Sequence, residues 1–378
     1  MVPRLDTGGV ERGTLEIAEA IVSAGGRALV ATEGGQLVPR LTRLGGEVFE
    51  MNVASKNPIT VWQNAGLLAR LIREEGVDVV HARSRAPAWS AYWAARRTGA
   101  AFVTTYHGVY TEDFPLKRLY NSVMARGRPV IAISEYVRDL VRARHLVPEE
   151  EIALIPRGAD ITLFAQEAVG NERAVNLAER WGILDDPRPV AILPGRLTRW
   201  KGAESVIDAA AILKERRGVA DFVILIVGGG DEGFARSLDA RIVARGGGDC
   251  VWRTGECTDM AAAYKLASVV LSASIEPEAF GRVVVEAQAM GRPVIATDHG
   301  GARETVAHGE SGWLYPPGDS ARLAEILNQA LEMDPSERAH LGMAARVRVH
   351  SRYTVGAMQR DTIKAYERAA GRSFGASL

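Results

Sequence analysis

The sequence predicts an α/β protein built from two doubly wound parallel-sheet domains, and three observations predict it. Short β-branched runs alternate with amphipathic stretches along both halves, the pattern of parallel strands covered by helices on both faces. The chain has 378 residues, whereas single hydrophobic cores stop growing at roughly 250–300. A polar stretch with few strand signals lies between Pro156 and Pro189, where the two alternating halves divide.

In chain order, only the short apolar segment Met1, Val2 and Pro3, then Arg4 and Leu5, comes before a glycine loop, DTGGVE, at 6–11. The first strand of a doubly wound sheet lies centrally. Losing most of it should be costly, and the expectation is a start several residues upstream. Strands are then expected at 28–31, 48–51, 77–81, 102–105, 130–133 and 152–155, with helices between them, for example at 10–24 and 60–74. In the second half the expected strands are 190–193, 222–227, 251–253, 269–273 and 294–296. A helix at 283–290 is stopped by Gly291 with Pro293 behind it. No tandem repeat or low-complexity tract interrupts the alternation.

Composition narrows the class. Apolar residues make up 47% and charged residues 24%, as in ordinary globular domains. The formal net charge is zero, so no global field selects nucleic acid or a membrane. Locally the balance differs, with eleven Lys and Arg against four Asp and Glu between His81 and Leu146. Cys250 and Cys257 match no metal motif and no disulfide framework. No run approaches the roughly 18 apolar residues of a spanning helix, and no signal peptide is read. A cytoplasmic location is expected.

The most informative segment is PEAFGRVVVEAQAMGRPVIATDHGG, 277–301. Glu278 falls in a strand-to-helix loop, and Glu286 lies about one turn into the following helix. Between them the amides of Phe280, Gly281 and Arg282 open a helix N-terminus, where a diphosphate is well placed. Such a site can hold a sugar on one carboxylate, phosphates on the amides and a ribose on the other carboxylate. A second loop, GRLTRWKG at 195–202, follows a strand and carries Arg196, Arg199 and Lys201. Two converging cations neutralise charge that grows on a leaving diphosphate. The paired Gly8 and Gly9 let backbone approach a ligand closely. TYHG places His107 at a strand end, and His81 ends another strand, where a structural role is expected. GGGDEG at 228–233 lacks the dinucleotide spacing and reads as a packing turn. RTGECTDM, 253–260, contains Cys257 as a small lining residue.

Together these motifs resemble those of the retaining glycosyltransferase family 4, over almost the whole chain. The resemblance implies the GT-B fold, two Rossmann-like domains facing each other across a cleft, with a helix at 354–370 crossing back to the first. The expected domains are therefore 1–160 plus 354–370, and 161–353, with RGADITLF (157–164) at the interdomain turn. It implies a nucleotide diphosphate sugar bound mainly by the second domain. Glu286 would hold the ribose, Arg196 and Lys201 the diphosphate, and Glu278 with the Phe280 and Gly281 amides the hexose. His107 would hydrogen-bond the transferred sugar, the Gly8–Gly9 loop would touch the donor phosphates, and the Cys257 loop the base. The leaving phosphate would deprotonate the acceptor, so no side-chain base is named.

No cofactor and no metal are expected. The sequence contains no Asp-x-Asp triplet, the carboxylate pair that holds a divalent ion in the other main glycosyltransferase fold. The stretch from Val79 to Val137 is most similar to bacterial lipopolysaccharide core sugar transferases, including mannosyltransferases. The expected reaction moves a hexose from GDP-mannose or a UDP-hexose to a glycan or glycolipid acceptor. Alternatives are a sugar-nucleotide epimerase of the same fold and a non-catalytic relative. Finally, the aromatic and basic stretches at 86–99 and 117–128 suit peripheral contact with an anionic membrane, or helices packed on a sheet with their charges solvated. No nucleic-acid partner is expected.

Overall fold

The structure, a computed structural model, describes residues 1–6, 8–110 and 112–374. The chain forms two compact units, one of Met1–Arg157 with the segment from Val355 onward, the other of Gly158–Thr354.

The first unit carries β1 (Leu29–Thr32), β2 (Glu47–Glu50), β3 (Val79–Ala82), β4 (Ala101–Tyr106), β5 (Val130–Ala132) and β6 (Ile152–Leu154). All pairings are parallel: β1 with β2, and β3-β4-β5-β6 in sequence order. Met1–Pro3 runs between the two groups. Val2 donates its amide to the Ala31 carbonyl, Glu33 donates to Pro3, and Arg83 donates to Met1. The short first segment thus occupies a central position, as the doubly wound order requires.

Crossover helices form where the sequence supplies caps and stops. Asn57 caps the helix Pro58–Glu75, which starts on its proline and ends at Gly76 in the left-handed region. Ser134 caps Glu135–His145. The last helix, Val355–Ala370, buries Met358, Ile363 and Tyr366 against Ile17, Val103, Ile131 and Ile155.

The second unit carries β7 (Val190–Pro194), β8 (Val223–Val227), β9 (Val251–Gly255), β10 (Val269–Ser272), β11 (Val294–Thr297) and β12 (Gly312–Tyr315). They form one parallel sheet in the order β12-β11-β10-β7-β8-β9, the doubly wound order with its reversal between β7 and β10. β7, β8 and β11 are buried along their whole length, as strands covered on both faces must be. Ile207, Leu213, Leu238, Leu323 and Leu327 pack from the covering helices.

All the expected strands appear, with ends shifted by at most two residues. β12 was not expected. It is a four-residue edge strand opening on Gly312, and GWLY offers no β-branched run to signal it. Gly312 is required because a Cβ there would stand 2.3 Å from the Val294 carbonyl oxygen of β11.

Candidate functional site

Ligands of doubly wound sheets bind outside the carboxyl ends of the strands, at the point where strand order reverses. In the second unit that point is flanked by the loops after β7 and β10, the loops carrying GRLTRWKG and PEAFGR. The sequence-expected cations and carboxylates therefore meet there for a topological reason. Gly202, at φ 74°, closes the first loop against the second, and a Cβ on it would lie 1.9 Å from the Ala273 carbonyl oxygen. The Ile275 amide donates to the Trp200 carbonyl at 2.7 Å, locking the two loops together.

Lys201 Nζ donates to Glu278 Oε1 at 2.8 Å, with both side chains about four-fifths buried. Ser274, itself buried, donates its hydroxyl to the same oxygen. Glu278 is thus held by two donors on one oxygen. Arg196 is exposed and makes no side-chain hydrogen bond or ion pair among the described residues. Arg199 turns elsewhere, with its guanidinium 3.4 Å from Glu204 and 5.1 Å from the Phe234 ring centre.

Gly281, at φ 84°, is the N-cap of the helix Arg282–Ala289. Glu286 is 7% exposed and accepts from the Tyr264 hydroxyl at 3.2 Å, with Arg282 Nε at 3.6 Å. The Phe280 side chain is buried edge-on against Tyr353, so only its backbone faces the loop. The GG after β11 has a packing role that sequence reasoning missed. Gly301 donates its amide to the Glu278 carbonyl at 2.9 Å, and a Cβ on Gly300 would meet that same oxygen at 2.4 Å. His299 places Nε2 2.8 Å from the Ser274 carbonyl, buttressing the residue that holds Glu278.

The glycine turn after β8 packs as expected. Gly228, at φ 146°, leaves no room for a Cβ beside the Gly195 carbonyl, and Leu197 and Gly230 form a bridge. Cys257 is half-buried, and burial raises its thiol pKa, so it is no ready nucleophile.

In the first unit, His107 follows β4. Arg157 Nη2 lies 2.8 Å from its Nδ1. A guanidinium can only donate, so Nδ1 accepts and Nε2 carries the proton. Nε2 is buried with no partner among the described residues. Burial first, and the Arg157 charge second, hold the His107 pKa well below the usual histidine value; the ring is a neutral N–H donor. Arg157 and Arg83 are both 5% exposed. Gly13 makes room for them, because a Cβ there would stand 2.0 Å from Arg157 Nη1 and 2.9 Å from Arg83 Nη2. Sequence reasoning read RGAD only as a turn and missed this arginine pair. His81 is structural, its ring nitrogens 2.6 Å from the Tyr366 hydroxyl and 2.7 Å from Thr105 Oγ1. Gly8 precedes the helix Gly9–Ser23 as its N-cap; Thr7 of the same loop lies outside the described residues.

Among the described residues no cluster of three or more His, Cys, Asp or Glu side chains has metal-binding geometry, and no helix is long and apolar enough to cross a membrane.

Comparison with known proteins adds to this geometry. The model of the glycosyl transferases group 1 matches residues 179–348, and that of glycosyltransferase family 4 matches residues 7–163. A phosphatidyl-myo-inositol mannosyltransferase of Mycobacterium leprae is 30% identical over 299 residues, 78% of this chain and 74% of that protein. A solved glycosyltransferase from Rickettsia africae superposes with TM-score 0.89 at 33% identity, covering 97% of both chains. Anabaena HepE in complex with UDP-glucose superposes with TM-score 0.79 at 26% identity, covering 94% of both.

Proposed function

Because the chain belongs to glycosyltransferase family 4, a GT-B enzyme that transfers sugar from a nucleotide-sugar donor, we propose that it moves a hexose, with retention and without a metal, from GDP-mannose or a UDP-hexose to a glycan or glycolipid hydroxyl. The single observation that carries the reading is the Lys201–Glu278 pair beside the unpaired Arg196, at the point where strand order reverses. Lys201 and Arg196 take the diphosphate, and the amides of Phe280, Gly281 and Arg282 add a helix N-terminus to it. Glu278 orients a hexose hydroxyl and Glu286 the ribose, with Cys257 on the base side.

As the glycosidic bond breaks, negative charge collects on the leaving phosphate, where the two cations and the amides stabilise it. The same phosphate takes the proton of the incoming acceptor hydroxyl on the face it leaves, so configuration is kept. His107 supplies a neutral N–H to a sugar hydroxyl, and Gly8 and Gly9 let backbone approach the donor phosphates.

An acceptor at a membrane surface fits the first unit. Trp62, Trp89, Tyr92 and Trp93 line an open hollow of about 530 Å³ with Arg96, Arg97 and Arg126. The Arg126 guanidinium sits 5.1 Å from the Trp89 ring and 5.2 Å from the Tyr92 ring. Aromatics interleaved with guanidiniums suit anionic headgroups. A lipopolysaccharide core or phosphoinositide-type glycolipid has that chemistry.

The test is calorimetric titration of GDP, UDP and ADP into the wild-type protein and Glu286→Ala, followed by transfer assays with the matching sugars in excess chelator. Selective binding of one nucleotide, weakened in the variant, with product formed in chelator, supports the proposal. Equal binding by both proteins refutes the ribose role, and activity abolished by chelator refutes metal independence.

A further inference from the structure

The carboxylate assigned to the hexose is held asymmetrically. Lys201 Nζ and the Ser274 hydroxyl both donate to Glu278 Oε1. A carboxylate oxygen offers about two lone-pair directions, so Oε1 is saturated. Oε2 has no hydrogen-bond partner among the described residues, and it reaches solvent from a side chain that is 18% exposed. The last torsion of a free glutamate is broad. With Oε1 fixed by two donors the carboxylate plane is set, and Oε2 alone is presented as an acceptor.

The two donors differ in what else they can do. Lys201 shares the loop after β7 with Arg196, and a diphosphate bound there draws its charge away from Glu278. Ser274 is neutral and 1% exposed, so its hydroxyl cannot follow a phosphate. It is the donor that stays with Glu278 once the site is loaded.

Ser274 is itself fixed from behind. Its carbonyl accepts from Thr297 Oγ1 at 2.9 Å and lies 2.8 Å from His299 Nε2. A carbonyl only accepts, so Nε2 carries the proton, and the two donors fill the lone pairs of that oxygen. Thr297 ends β11 and is 2% exposed, and the His299 amide donates to the Thr297 carbonyl at 2.9 Å. His299 Nδ1 is left buried with no hydrogen-bond partner among the described residues. An unpaired buried nitrogen is destabilising, and an apolar side chain would avoid it. What an apolar side chain could not supply is the Nε2–H bond to Ser274.

We infer that Ser274, set in place by Thr297 and His299, is a positioning residue for the donor sugar: it holds Glu278 so that Oε2 alone accepts one hexose hydroxyl while Lys201 serves the diphosphate. This role rests on the reading of Glu278 as the hexose carboxylate, and it adds three residues from outside the two donor-site loops' charged positions.

The test is calorimetric titration of GDP and GDP-mannose, and of UDP and UDP-glucose, into the wild-type protein, Ser274→Ala, Glu278→Gln and the double variant. The quantity read is the Kd of the sugar nucleotide divided by that of its nucleoside diphosphate in the same protein, for the base that binds more tightly. Ser274→Ala and Glu278→Gln should each raise this ratio at least about fivefold, the size of one hydrogen bond. The double variant should go no further than Glu278→Gln alone, because Ser274 acts only through that carboxylate. His299→Gln, whose amide nitrogen can still donate to the Ser274 carbonyl, should keep the wild-type ratio, and His299→Leu should raise it. A ratio raised by Glu278→Gln but unmoved by Ser274→Ala overturns the positioning role and leaves the hexose role of Glu278 standing. A ratio unmoved by Glu278→Gln overturns the hexose role and the positioning role with it. Additive effects in the double variant overturn the positioning role too, since Ser274 then acts by another route.

Discussion

For a polypeptide whose first residue is Met1, lowering the pH from 8 to 5 should cost the first unit about 4 kcal/mol of folding stability through that amino group alone. Its pKa falls from 8.0 to about 5 on folding, and three units at about 1.36 kcal/mol each give that figure. Well above pH 8 the amine is neutral in both states and has no effect. As the pH drops, the unfolded chain takes up a proton that the folded chain refuses until near pH 5. The unfolded state therefore binds more protons, and stability falls with pH. His81 and His107 add to the loss with the same sign at lower pH, since burial holds both neutral in the fold. The window from pH 8 to pH 7 isolates the amine, and there the expected loss is about 1 kcal/mol. Urea titration read by pulse-labelled hydrogen exchange in β1 and β3 measures it in the right unit. A midpoint unchanged between pH 8 and pH 7 would refute the buried-ammonium account.

Three further outcomes are expected. Lys201→Ala removes a charge-assisted bond of about 1.5–3 kcal/mol, so kcat should fall roughly 10- to 150-fold; an unchanged kcat would remove Lys201 from the diphosphate site. Arg157→Gln should free His107 from its fixed tautomer. Nitrogen NMR should then show Nδ1–H and Nε2–H forms mixing where the parent shows Nε2–H alone, and a mixed signal in the parent would contradict the arrangement. Gly202→Ala forces a left-handed alanine against the Ala273 carbonyl and should destabilise the second unit by at least about 1–3 kcal/mol, read as a lower urea midpoint; a variant as stable as the parent would refute the close approach.

What could be read from the sequence was what lay contiguous along it. Glu278, Gly281 and Glu286 fall within nine residues, and Arg196 and Lys201 share one loop, so their type and spacing signalled the chemistry. Alternation predicted parallel sheets covered by helices, and the strand order that brings those two loops together came with the structure. The arginine pair around His107 was not legible, because Gly13, Arg83 and Arg157 come from three separate segments. Nothing in RGAD distinguishes a buried donor from a solvated turn. Gly300 and Gly301 were visible as a pair, yet their purpose depends on the backbone of residues 278–280. β12 escaped because an edge strand beginning on glycine has neither length nor alternation to announce it.

The second unit is one uninterrupted piece of chain, Gly158–Thr354, and its two ends are tied together. The Ala159 amide donates to the Tyr353 carbonyl at 2.8 Å, and Ala159 and Thr354 form a parallel bridge. The first unit, by contrast, is split. Its core lacks Met358, Ile363 and Tyr366 until the last helix is made, and Gln359 then reaches the Glu16 carbonyl at 2.8 Å. During synthesis the order of emergence and the order of completion are therefore reversed. The part that leaves the ribosome first must wait, with apolar surface uncovered, while the part that leaves second folds and closes on itself. The first unit is thus the portion of the nascent chain that stays incomplete longest, and truncation just before Val355 should leave one folded unit attached to one whose core lacks Met358, Ile363 and Tyr366.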